Sequence, residues 1–183
     1  MSTDQVSVFF ALLAFLALGV GVGALVLVAA GKAEKLRSVA DVLLPLAFVV
    51  ALTATLGSLY YSGIANFRPC RLCWWQRIMM YPMVPILGIA TFRRDVMGAW
   101  YALPLALGGL GYGLYHTRLR QWPDDSGSCD IDAPCSAIWV DTWGFVSIPF
   151  MATCGFIAIT GLLVARLKLS RADAPVAEEL VTA

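Results

Sequence analysis

The sequence predicts an all-α, polytopic membrane bundle, and three observations predict it. Its 183 residues are 60% hydrophobic and 14% charged, with a mean hydropathy of +0.77, whereas soluble domains keep roughly 25% of their residues charged. Five runs hold no Asp, Glu, Lys or Arg: 6–30, 42–65, 78–92, 96–117 and 142–165. Basic residues then recur at alternate connections between those runs, the pattern expected when a chain crosses a bilayer repeatedly.

The first run, 25 residues long with Asp4 as its nearest charge, lacks the basic flank of a secretory signal and exceeds the usual length of its apolar stretch. It reads as a retained helix. With the basic loop bearing Lys32, Lys35 and Arg37 it forms a first unit, residues 1–41. Residues 42–165 form a second unit of four helices. Three of its runs meet the roughly 20 apolar residues that a ~30 Å hydrocarbon core requires. Run 78–92 has only 15 residues, about 22 Å at the helical rise of ~1.5 Å. It must borrow Trp74–Arg77 to cross, which sets Cys73 within about a turn of the interface. After Arg166 the chain turns polar, with Arg171, Asp173, Glu178 and Glu179, and residues 166–183 are expected to be a disordered cytoplasmic tail.

Net charge is +1 with no basic block, which gives nucleic-acid binding no support. Glycine-rich phosphate loops, zinc-binding helix motifs and Ser/His/Asp spacings are absent from the sequence. Eight basic residues fall in the 32–37 loop, at Arg93 and Arg94, and in the tail, against five toward the cysteine-bearing side. That bias predicts an extracytoplasmic N-terminus, a cytoplasmic C-terminus and cysteines outside the cytosol, where disulfides persist.

The chemistry is concentrated in two cysteine pairs, Cys70-Arg71-Leu72-Cys73 and Cys129…Cys135, separated by two apolar runs and therefore on one side of the membrane. A Cys-x-x-Cys is a redox dithiol, half of a zinc site, or chance. At a helix N-terminus the dipole favours thiolate at the second cysteine, and Arg77 lies four residues on, on the same helical face. Arg77 then either steadies an anion there or anchors the helix at the interface. The Cys129–Cys135 loop is read as an exchangeable disulfide, a structural staple, or part of a four-cysteine zinc site; no metal is assigned. Trp74, Trp75, Trp139 and Trp143 suit an interfacial belt, and Trp74 and Trp75 also suit the wall of a pocket. Cys154, alone in the last run, is expected to behave as a small buried hydrophobe. Ser147 before Ile148-Pro149 reads as a helix start.

Two long stretches resemble one family. Cys70-Arg71-Leu72-Cys73-Trp74-Trp75-Gln76-Arg77-Ile78-Met79-Met80-Tyr81-Pro82 is similar to the first redox motif of the DsbB/BdbC family of quinone-coupled thiol oxidoreductases. The second is Cys135-Ser136-Ala137-Ile138-Trp139 with Trp143-Gly144-Phe145-Val146-Ser147-Ile148-Pro149-Phe150-Met151-Ala152. The resemblance covers about residues 42–165, and the short Cys-x₅-Cys loop is closer to the BdbC-like branch. It implies a four-helix DsbB-like core, with 6–30 as an additional transmembrane helix. It further implies an enzyme of the bacterial cytoplasmic membrane that re-oxidises an extracytoplasmic DsbA-like, thioredoxin-fold thiol oxidase and delivers electrons to the quinone pool, ubiquinone or menaquinone. By the resemblance Cys129 is attacked by the partner, Cys135 exchanges with Cys70, and Cys73 hands electrons to quinone. Arg77 and His116 would sit at the quinone, His116 being otherwise an ordinary interfacial histidine. A vitamin K epoxide reductase-like enzyme is the nearest rival, but that family places its loop cysteines before the Cys-x-x-Cys. A membrane scaffold with stapled loops is the non-enzymatic alternative.

Overall fold

The computed structural model describes residues 2–122 and 135–182, with side chains described as far as residue 172. Its elements are α1 (Thr3–Ala29), a 3₁₀ segment (Ala33–Val39), α2 (Ala40–Gly63), α3 (Arg71–Arg93), α4 (Met97–Gln121) and α5 (Ile148–Thr182). Among the described residues there is no strand, only an isolated bridge between Thr142 and Val146.

Local chemistry sets the helix ends. Ser2 caps α1 in a reciprocal capping box with Gln5, which satisfies two otherwise orphaned donors. Ser147 Oγ accepts from Phe150 N–H (3.4 Å) at the start of α5, with Pro149 in the first turn, where a missing N–H costs nothing. Arg94 ends α3 in the left-handed region at φ 53°. Pro45, Pro82, Pro85 and Pro104 all lie inside helices.

The helices alternate in direction, so α1, α3 and α5 start at the cysteine end of the bundle. α5 is the central element, packing on α1, α2 and α4, while α3 fits between α2 and α4. Phe156, Ile159, Leu162 and Leu163 of α5 are fully buried against Met83 and Leu87 of α3. Glycines let the helices approach closely. A Cβ on Gly21 of α1 would strike the backbone of Ala158, one on Gly161 would strike the Gly21 carbonyl, and one on Gly109 would enter the Phe156 ring. In lipid, such backbone-to-backbone contact supplies the packing that hydrophobicity alone does not. Leu12, Leu16, Val26, Leu56 and Ile89 point outward, as a bilayer-facing surface requires. Basic residues gather at the other end of the bundle, where Arg171 lies 4.8 Å over the Trp100 ring.

The structure adds detail to the sequence reading at three points. The last helix begins at Ile148, the start that Ser147 before Ile148-Pro149 suggests, and upstream of it Trp143 (φ 56°) and Gly144 (φ 78°) turn the chain back on itself. At the far end α5 continues to Thr182 where a disordered tail is expected from 166. Leu167 and Leu169 are buried there, so packing extends the helix past the first charged residues. Finally, of the five spans, α1, the 33–63 segment and α5 are long and apolar enough to cross a membrane by length and composition. α3 and α4, at 23 and 25 residues, run about 35 Å at ~1.5 Å per residue; they are long enough but dilute their apolar character with polar and glycine residues. As the 15-residue run requires, α3 starts upstream of Trp74.

Candidate active site

Cys70 is the N-cap of α3 and its Sγ accepts from Cys73 N–H at 3.3 Å. The two sulfurs lie 2.8 Å apart, both free. Cys70 is almost fully buried, while Cys73 is half-buried on the first turn. One helix away, α4 presents His116, itself 1% exposed. Its Nε2 stands 3.6 Å from Cys70 Sγ and 3.1 Å from the carbonyl oxygen of Cys135, and its Nδ1 is 3.3 Å from Gln76 Oε1. The imidazole thus ties the Cys70 sulfur, the Cys135 backbone and the Gln76 side chain into one buried group. The Cys70 thiol is accordingly held well below its ordinary range, at about 4, chiefly by the Cys73 hydrogen bond and then by His116, against the opposing effect of burial.

This reverses one expectation. Helix-dipole reasoning favours thiolate at Cys73, but the capping position gives Cys70 the backbone N–H, the neighbouring thiol and the imidazole together. Cys70, Cys73 and His116 also present donor atoms within 4.8 Å of one another, a set able to converge on a soft metal ion. His116 is buried against the dithiol.

Cys135 is disulfide-bonded and packs with Cys70, Leu72 and Leu119 in one buried cluster. Cys129 lies outside the described residues. Arg120 holds the chain that follows Cys135, donating to the Val140 carbonyl at 3.2 Å and pairing with Asp141 at 3.4 Å. Above it, Phe67 stacks between Tyr61 (5.9 Å) and Trp139 (5.2 Å), an aromatic roof over this end of the bundle.

Below that roof runs a cavity of about 360 Å³, bordered at one end by Cys70, Cys73, Gln76, Arg77, His116 and Cys135 and along the rest by apolar side chains of α1, α2 and α5. Arg77 borders the dithiol end of this cavity. Ser58 of α2 orients it, accepting from Nε at 2.9 Å through Oγ and from Nη2 at 3.1 Å through its carbonyl. Tyr81 donates to the same Ser58 Oγ at 3.2 Å. Trp74 is 53% exposed and is not among the cavity's lining residues; it serves as the platform under Arg77, whose guanidinium lies 5.2 Å from the ring centroid. Gly113, one turn before His116, leaves room for the site, since a Cβ there would sit 2.7 Å from Thr153 Oγ1 and 3.4 Å from Gln76 Nε2. Cys154, free and buried, stands apart within α5.

Ser58, Gln76, Phe67 and Tyr61 are site residues that sequence reasoning misses. Gln76 alone carried a signal, inside the motif. Its Nε2 is buried without a hydrogen-bond partner among the described residues, and such a donor is costly unless a ligand accepts from it. Gln76 and Arg77 are among the polar groups at that end of the otherwise apolar cavity.

The chain matches the family described as "Disulfide bond formation protein DsbB" over residues 40–169. It is 48% identical over 114 residues to Disulfide bond formation protein C of Bacillus subtilis (strain 168), covering 61% of this chain and 83% of the relative. The Probable disulfide formation protein of Oceanobacillus iheyensis is 42% identical over 132 residues, 69% of this chain and 89% of the relative. That of Deinococcus radiodurans is 42% identical over 135 residues, 67% and 87%. No solved structure matches the chain. The family region begins with α2, leaving α1 outside it.

Proposed function

The chain belongs to the DsbB family of disulfide bond formation proteins and is a multi-pass membrane disulfide oxidoreductase, and on that premise we propose that it re-oxidises an extracytoplasmic thioredoxin-fold thiol oxidase at the expense of a membrane quinone. One observation carries the reading: a disulfide-bonded Cys135 and a free Cys70–Cys73 dithiol share one buried cluster at the polar end of an apolar cavity. An exchangeable bond, a dithiol and a lipid-accessible acceptor space in series make up an electron relay.

In the proposed sequence the partner's thiolate attacks Cys129, forming a mixed disulfide and releasing Cys135. The partner's second thiol then resolves that bond, leaving the partner oxidised and the loop pair reduced. Cys135 next exchanges with the Cys70–Cys73 disulfide at Cys70, and closure of the loop pair frees a Cys70–Cys73 dithiol. Each exchange breaks one disulfide and forms one. His116 lowers the cost of a Cys70 thiolate, and its bond to the Cys135 carbonyl holds the two pairs in register. Quinone, when bound, accepts the two electrons and two protons that leave as Cys70 and Cys73 return to disulfide. Arg77, held by Ser58, offers a fixed cation to the developing oxyanion, and Gln76 offers an N–H. The basic-residue bias and the stability of disulfides outside the cytosol support cysteine loops on the extracytoplasmic face of a bacterial cytoplasmic membrane.

Trapping tests the order of events. Cys135→Ser leaves Cys129 without its internal partner, so a mixed disulfide between Cys129 and an oxidised thioredoxin-fold partner accumulates and is seen as a reducible adduct. An adduct through Cys70 alone would overturn the assignment.

A further inference from the structure

The helix outside the family region is a wall of the cavity. Phe10, Leu13, Ala14, Ala17 and Val20 of α1 line it, at the i, i+3, i+4, i+7 spacing that puts one helical face against a neighbour. The cavity follows α5 from Ile148 to Leu162, about 20 Å at ~1.5 Å per residue. Its polar groups cluster at the dithiol end, and its far half is bordered by Val20, Leu46, Val49, Ala158 and Leu162. Such a space suits a molecule with a small polar head and a long hydrocarbon tail.

α1 is fixed in that position at both ends of the contact. Near the dithiol, Tyr61 OH donates to Ser7 Oγ at 3.1 Å within the protein. The Phe10 ring fills the space over Gly57, where a Cβ would sit 3.1 Å away. Deeper, Gly21 meets the backbone of α5 at Ala158 and Gly161. Phe15 packs on Phe150, 5.8 Å between centroids, closing the side toward α5. The helix is therefore anchored by a buried hydrogen bond and by backbone contact, with small Ala14 and Ala17 between the anchors.

We propose that α1 forms the binding wall for the isoprenoid tail of the quinone, making this chain discriminate long-tailed from tailless acceptors. The proposal rests on the quinone reading above. Head-group contacts come from Gln76 and Arg77, and tail contacts come from α1 against α2 and α5. Binding energy along the tail is apolar contact, so a side chain that fills the channel penalises the tail and spares the head.

Equilibrium binding, read by quenching of tryptophan fluorescence in detergent, tests this without turnover. The probes are a long-tailed menaquinone and menadione, its tailless head, and the corresponding long-tailed and tailless ubiquinone forms. Ala17→Leu is expected to raise the ratio of tailed to tailless Kd by roughly tenfold or more, the scale of a methylene-sized misfit in an apolar pocket. Leu13→Ala, which removes tail contact without crowding the bundle, raises the same ratio and serves if Ala17→Leu fails to fold. Leu12→Phe, on the exposed side of α1 (57% exposed), is the surface control and leaves the ratio as it is. An unmoved ratio in folded Leu13→Ala, with wild type binding both forms, overturns the role of α1 alone. Wild type binding neither form overturns this proposal together with the quinone reading.

Discussion

His116 Nε2 lies 3.6 Å from Cys70 Sγ while the same nitrogen lies 3.1 Å from the Cys135 carbonyl. One imidazole thus touches the sulfur that caps α3 and the backbone of the disulfide-bonded Cys135. Thiolate chemistry at the dithiol and the position of the second cysteine pair are coupled through a single side chain.

That coupling has a pH signature. The folded Cys70 thiol is depressed to about 4, against roughly 8.5 for an ordinary thiol. In the reduced protein, thiolate ultraviolet absorbance should therefore persist from alkaline pH down through neutrality and vanish only as pH falls through about 4. The same sign governs stability: the contribution of Cys70 to the reduced fold is complete above the ordinary thiol range, declines below it, and is gone below about 4. His116→Ala should move the absorbance midpoint upward by about one to two pH units, the worth of one charge-assisted hydrogen bond. An unchanged midpoint in His116→Ala would remove the imidazole from the account.

Arg77 gives a graded series. Its two bonds to Ser58 fix the guanidinium plane. Arg77→His should raise the KM for quinone by roughly 10- to 150-fold, from the loss of about 1.5–3 kcal/mol. Arg77→Lys keeps the charge but not the planar fork and falls between. Ser58→Ala should also fall between, since it frees the cation without removing it. Equal KM values across the series, at matched protein levels, would make Arg77 an interfacial anchor and nothing more.

Packing of α1 can be tested by two glycines on one helix. Gly21 faces the α5 backbone, while Gly23 has nothing within 4 Å of a Cβ position. Gly21→Val should lower stability by about 1–3 kcal/mol through overpacking, seen as a lower thermal midpoint in detergent. Gly23→Val should leave the midpoint unchanged or slightly higher, since it gains helix propensity. Equal effects would mean that α1 is loosely attached.

Much of this architecture was legible in the residues. Charge-free runs located five helices, and the shortfall of run 78–92 foretold that α3 starts above Trp74, with the dithiol at its tip. Spacing could not foresee the whole environment of Cys70, because beside its local bonds to Cys73 it meets His116, 46 residues away. Ser58 was invisible for the same reason: a serine in an apolar helix acquires meaning only when Arg77 of the next helix lies against it. Leu167 and Leu169 keep α5 packed past Arg166, a contact with the bundle that the polar composition after Arg166 does not reveal. No periodicity in α1 said that its small residues border a cavity; that required the position of α5.

The measurement closest to the central claim is anaerobic mixing of the purified, oxidised protein with a reduced thioredoxin-fold partner while quinone absorbance is followed. The account predicts loss of one oxidised quinone for each partner dithiol oxidised. It predicts none with Cys70→Ser or Cys73→Ser, since serine is neither leaving group nor nucleophile at neutral pH. Partner oxidation with no loss of quinone, or full quinone reduction by Cys73→Ser, would contradict it.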